Sequence, residues 1–219
     1  MPLHRPRGVL AAGAALALAL TACSSDGGDT GSAAQGSAAA SSSAAEVSPT
    51  TEPATGEPFG PGCGDVPASG KGSFASMAKQ PVATAASGNP ALSVLVKAVI
   101  AANLVDTLNG LDDVTVLAPS DPAFEALPAD ALDGLLDDNA QLTAVLTHHV
   151  IEGRLAPEQL AGQHTTVNGD TVTIQGSGED FTVPADQTVA GKADATVLCG
   201  NVQTANATVY IIDQVLAAP

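Results

Sequence analysis

The sequence predicts an α+β domain in which helices pack against a largely antiparallel sheet, and three observations predict it. Apolar residues recur at helical spacing in the earlier part of the stretch 59–219. Strand-like alternation punctuated by an Asn-Gly turn takes over in the later part. The stretch has the length of one ordinary domain, with no repeat at a fixed period. Helices early and strands late describe α+β rather than an alternating α/β order.

Ahead of that domain, Arg5 and Arg7 form a basic start, and Val9 to Leu20 form an apolar run too short to span a bilayer as a stable helix. This is the pattern of an export signal. Leu20-Thr21-Ala22-Cys23 resembles the lipobox of bacterial lipoproteins, which implies that residues 1–22 are a signal peptide and that Cys23 is acylated. Two or more chains at about 0.8 kcal/mol per buried methylene hold a membrane durably, where one chain is marginal. An ordinary signal peptide with a chance cysteine is the alternative.

Residues 23–58 are Ser, Ala, Gly, Thr and Pro with scattered acids, too few large apolar groups to offset the entropy of ordering. A flexible tether is expected. Thr50, Thr51 and Thr55 among Pro49, Pro53 and Pro58 have the composition of an extended stalk, O-glycosylated or plain.

Within 59–219, Asn89-Pro90 reads as a cap and first helical residue, followed by Leu92, Leu95, Val96, Val99 and Ile100 along one face. Val114 to Leu117 reads as a strand. Ser120 is placed to cap a short helix through Phe124 to Leu127, stopped by Pro128. Asn139 is placed to cap another, with Leu142, Val145 and Leu146 in one stripe. Thr165-Thr166-Val167 and Thr171 to Ile174 flank Asn168-Gly169-Asp170, a hairpin signal. Residues 181–183, 196–198 and 208–212 are further strands.

Seven Lys and Arg stand against 23 Asp and Glu, and removal of the signal peptide takes away only basic residues. A surface this negative repels phosphate backbones, so nucleic acid is excluded as a partner. Aromatic content of 2% leaves few rings to stack on bases or sugars. With Cys23 assigned to lipid, Cys63 and Cys199 remain as a pair that an exported protein oxidises; free thiols or a metal pair are the competing reading.

Ser177 lies in Gly176-Ser177-Gly178, with Gln175 where a nucleophile elbow needs glycine, which suits a polar hairpin tip. Gly191-Lys192 has no glycine five residues earlier and is no phosphate loop. His148, His149 and Glu152 carry metal-ligand atoms, but adjacent side chains diverge and one ion would not take both rings. Asp112-Asp113 and Asp137-Asp138 lack the spacing of a calcium loop. No cofactor, metal or catalytic residue is expected. Asn206-Ala207-Thr208 is formally a glycosylation sequon, read here as structural.

The segment Val114-Thr115-Val116-Leu117-Ala118-Pro119-Ser120-Asp121-Pro122-Ala123-Phe124 resembles the first motif of the fasciclin (FAS1) domain. Ala207-Thr208-Val209-Tyr210-Ile211-Ile212-Asp213-Gln214-Val215-Leu216 resembles its closing motif, and Leu146 to Ile151 resembles the region that carries a Tyr-His pair. Ser73 to Ala78, Pro81 to Ala86 and Cys199 to Thr208 are similar to the actinobacterial surface-lipoprotein and secreted-antigen group.

The resemblance covers essentially all of 59–219 and implies a single wedge-shaped fasciclin domain on, or shed from, the cell envelope. It also implies a non-enzymatic adhesion or interaction role. His148 stands where the family has Tyr, and His149 matches the family His, so both are candidates for an interaction surface, or for buried structural work. The expected function is a lipid-anchored extracytoplasmic protein, monomeric, held to the membrane at Cys23 and contacting a protein or envelope component. The rival is a carrier of an apolar small molecule, which a roomy apolar pocket between helices and sheet would favour.

Overall fold

A computed structural model describes residues 56–219, so the expectations for the signal peptide, for Cys23 and for most of the tether lie outside the described residues. Small residues set the character of the first helices. α1 (Phe74–Met77) starts at Ser73, whose hydroxyl accepts from Ser76 N, and α2 (Val82–Ser87) is Val-Ala-Thr-Ala-Ala-Ser, with Val82 its one large apolar side chain. α3 (Ser93–Ala101) follows a 3-10 turn at Pro90–Leu92 that Asn89 caps through Ala91 N at 3.0 Å. α4 (Val105–Gly110) leads into β1 (Val114–Pro119).

After β1 come α5 (Asp121–Glu125), α6 (Ala129–Asp137), α7 (Asn139–His148), β2 (Val150–Glu152) and α8 (Pro157–Leu160). β3 (Gly162–Thr165), β4 (Thr171–Ser177), β5 (Asp180–Val183), β6 (Ala195–Gln203) and β7 (Ala207–Ile212) complete the sheet, in the order β2-β1-β7-β6-β5-β4-β3. The fold is therefore helices on a sheet, as expected, but the sheet is mixed. β1 runs parallel to β7 from Val114↔Ala207 to Pro119↔Ile212, while the other neighbours are antiparallel. Parallel neighbours need a long crossover. Here residues 120–206 provide it, which no local pattern announces.

Two caps differ from the sequence expectation. Ser120 occupies the cap position of α5 but its hydroxyl makes no capping bond; the neighbouring Asp121 reaches across to accept from Val94 N at 2.8 Å, in the first turn of α3. At α7 the cap is Asp138, accepting from Ala140 N and Gln141 N at 3.0 and 3.1 Å, and Asn139 instead donates to Ala101 O at 3.0 Å. Both departures tie one helix to another, a use of short polar side chains that local propensity does not distinguish from capping.

β6 is longer than the three residues expected, because register shifts on either side of Cys199 break the alternation and bury Cys199, Gly200, Asn201 and Val202 in succession. The 165–174 hairpin forms as expected: Gly169 N bonds Thr166 O at 2.9 Å and Thr166 N bonds Asp170 O at 2.9 Å, with Gly169 at φ 86°. Only Gly169 takes positive φ, the mark of a three-residue loop with a bulge rather than a two-residue turn.

The core divides by sheet face. Val114, Val116, Ala118, Val209 and Ile211 meet the helices, while Leu117, Tyr210 and Ile212 face away with Ile174, Phe181 and Val197 in a second cluster that Phe59 closes. Phe59 bridges Gly200 through two backbone hydrogen bonds of 2.8 and 3.2 Å, and its ring lies 2.4 Å from where a Cβ on residue 200 would stand. A side chain at 200 would displace the ring. Cys63 then joins Cys199, with an S–S distance of 1.97 Å.

Candidate functional site

Two features of the domain bear on function: the histidine pair at the end of α7, and the space under α2 and α3. His148 and His149 are each 2% exposed. As the last helical residue and its C-cap they point to different surroundings. His149 Nδ1 donates to Val145 O at 2.7 Å and Nε2 accepts from Leu216 N at 2.9 Å, so the ring fastens the segment after β7 to α7 in one defined tautomer.

Burial lowers the His149 pKa to about 4, against a raising contribution from the bond to Val145 and a further lowering by His148. The unfolded chain takes up that proton near pH 6.5, so stability is full above this value and falls as the pH drops towards 4. The expected loss is on the order of 3 kcal/mol over that window. Urea unfolding at stepped pH checks it, and a flat profile between pH 6.5 and 4 contradicts the assignment.

His148 Nδ1 meets Asp170 Oδ1 at 2.6 Å, and Asp170 also accepts from Thr166 Oγ1 and, at 2.6 Å, from Asn168 Nδ2. Burial by itself raises the Asp170 pKa, but the bonds from Thr166, Asn168 and His148 outweigh it and hold the carboxyl below its ordinary value. The hairpin tip is thereby locked onto the end of α7. Asp170→Ala leaves a buried ring nitrogen without its partner and is expected to cost about 2 kcal/mol. Faster amide exchange confined to β3, β4 and their turn is the signature to look for.

Both rings are buried; what lies open beside His148 is a depression of about 380 Å³ with mixed polar and apolar walls, lined by His148, Thr171, Thr173, Asp186, Gln187 and the C-terminal residues 217–219. The depression belongs to residues whose proximity no sequence spacing indicates. Glu152, the third member of the metal-ligand grouping considered from sequence, is exposed at the end of β2. Among the described residues no group of three or more His, Cys, Asp or Glu is placed to hold a metal ion.

The second feature is an apolar cavity of about 190 Å³ between α2, α3 and α4 on one side and β1, β6 and β7 on the other. It exists because α2 presents Ala83, Ala85 and Ala86 where larger side chains would reach Val202 and Val209. Its mouth opens at Ile100, which is 58% exposed and is one of two large apolar side chains left uncovered among the described residues.

Asn206 sits behind α2 and is a structural hub. Its Oδ1 accepts from Val82 N at 2.8 Å, and its amide donates to Leu108 O at 2.9 Å and Leu111 O at 2.7 Å. Both amide hydrogens are spent and the residue is 9% exposed, so the sequon at 206 is engaged within the fold. Ser177 stands opposite Asp180 where β4 turns into β5.

A mixed sheet with helices on one face, closed by a last strand lying parallel to the first, defines an α+β wedge of the fasciclin type, and a family model for the fasciclin domain matches residues 90–219. The chain belongs to the fasciclin domain family. It is 43% identical over 185 residues to the cell surface glycolipoprotein MPB83 of Mycobacterium bovis, covering 79% of this chain and 80% of that one. It is 42% identical over 181 residues to the immunogenic protein MPB70 of the same species, covering 79% and 88%. A FAS1 domain pair from the insect cell adhesion molecule fasciclin I shares 28% identity with a TM-score of 0.47, over 60% of this chain and 46% of that one.

Proposed function

We infer that this protein is an extracytoplasmic, cell-surface module, anchored through lipid on Cys23, that presents one fasciclin domain for contact with a protein or envelope component and performs no catalysis. The observation that carries the reading is the 43% identity to a cell surface glycolipoprotein over 80% of that relative's length. The lipobox residues Leu20-Thr21-Ala22-Cys23 supply the anchor, and the tether of residues 23–58 supplies reach. The Cys63–Cys199 bridge fits a compartment that oxidises thiols.

The contact surface assigned in this reading is the rim of the depression beside His148, at Thr171, Thr173 and Asp186. It accounts for the interest of the 148–149 region without asking two buried rings to meet a partner. Palmitate labelling of the wild type and of Cys23→Ala tests the anchor: label is expected in the first alone, and equal label in both removes it. Capture from intact envelope, with T173K/D186K as control, tests the surface. A macromolecule retained by the wild type and lost by the double variant is expected; equal capture by both moves the contact elsewhere on the domain.

A further inference from the structure

The cavity under α2 and α3 is not required for display, and an unfilled space of this size weakens a core, because the atoms around it lose contacts and nothing replaces them. From its chemistry and size we propose that it is a binding site for the uncharged hydrocarbon part of a small molecule, held between the alanines of α2 and the valines of β6 and β7, with entry beside Ile100. This stands apart from the display reading and rests on different residues.

Four observations carry it. The volume is about 190 Å³. Drug-sized ligands occupy pockets of about 300–1,000 Å³, whereas an engineered apolar cavity of about 150 Å³ stays dry and takes up benzene, so the occupant is a short alkyl chain or a single ring. Among the described residues that line the space there is no Asp, Glu, Lys or Arg.

Most polar groups of the wall are committed elsewhere. His149 uses both nitrogens, Thr204 Oγ1 is engaged with the backbone of Ala207, and Asn89 Oδ1 holds Ala91 N. Asn89 Nδ2 has no partner among the described residues, but it is fully buried and anything in the cavity reaches it only if the wall moves. A charged or multiply hydrogen-bonding ligand therefore finds nothing to replace its water. The mouth is also apolar at its rim, where half-buried Val96 and exposed Ile100 flank an opening towards Thr84 and Ser87 on α2.

The test uses the full chain carrying Cys23→Ala, so that no acyl chain of its own competes, and follows methyl resonances while 1-octanol is added. Saturable shifts are expected at Val99, Leu108 and Val209, which line the cavity, with Val172 and Val183 of the opposite core unmoved. Octanoate, with its charge, is expected to bind at least tenfold more weakly. Ala86→Phe fills the space and is expected to weaken octanol binding at least tenfold; Val96→Asp, which sets a charge at a half-buried position of the lining, is expected to do the same if the first variant does not fold. Absence of saturable shifts, shifts spread equally over both cores, or unchanged affinity in the variant that folds overturns the proposal. Equal binding of octanoate overturns the uncharged assignment.

Discussion

Replacing Cys63 and Cys199 together by Ala is expected to lower the free energy of unfolding by about 4 to 5 kcal/mol. The bridge closes a span of 136 residues, and the argument runs through the unfolded chain: without the cross-link the denatured ensemble recovers the freedom of a very long loop. The native state loses little by comparison, since Phe59 still pairs with Gly200 beside the bridge. Urea midpoints of the oxidised wild type, the reduced wild type and the double variant measure it. The last two should agree with each other and fall well below the first. A reduced protein as stable as the oxidised one would show that the entry segment is held by the Phe59 contacts alone.

Asn206→Ala is expected to cost about 3 kcal/mol, because three backbone groups on two helices and a loop lose their partner at once: Val82 N, Leu108 O and Leu111 O. Asn206→Asp is the sharper experiment. It keeps an acceptor for Val82 N but sets a carboxylate against the two carbonyls, so it is expected to be at least as damaging as Ala despite its near-identical shape. Finding Asn206→Asp as stable as wild type would mean that the two donated bonds contribute nothing to the docking of α2 and α4. The same geometry bears on modification, since attaching a sugar to this amide removes one of the hydrogens that hold Leu108 or Leu111.

α3 and the hairpin at 165–174 were legible because each is a local pattern, a 3.6-residue apolar period and a glycine where positive φ is needed, but of the expected α3 face only Leu92, Leu95 and Val99 are buried, while Val96 is half-buried and Ile100 exposed because no element packs over the end of that stripe. α6 carries a usable signal in Leu132 and Leu135, three residues apart and turned inward. α2 left none of that kind, since its small residues look like linker, and the same property opens the cavity. The alternation within β6 was hidden by its irregular register. That His148 and His149 are buried was not legible, because the number of polar partners a ring finds depends on elements far away in sequence: Asp170 for one, Leu216 for the other.

By itself the sequence determined the class of fold, the acidic composition, and the pairing of two cysteines. Each follows from composition or from spacing within a few turns or strands. Tertiary structure alone decided that the first and last strands run parallel, that His148 and His149 are interior, that Asn206 and Asp121 brace helices instead of standing free, and that an apolar cavity lies beneath α2. The reason is physical. Hydrogen-bond partners and packing gaps are properties of which distant surfaces meet, and a chain read in one dimension carries no record of the distance between them.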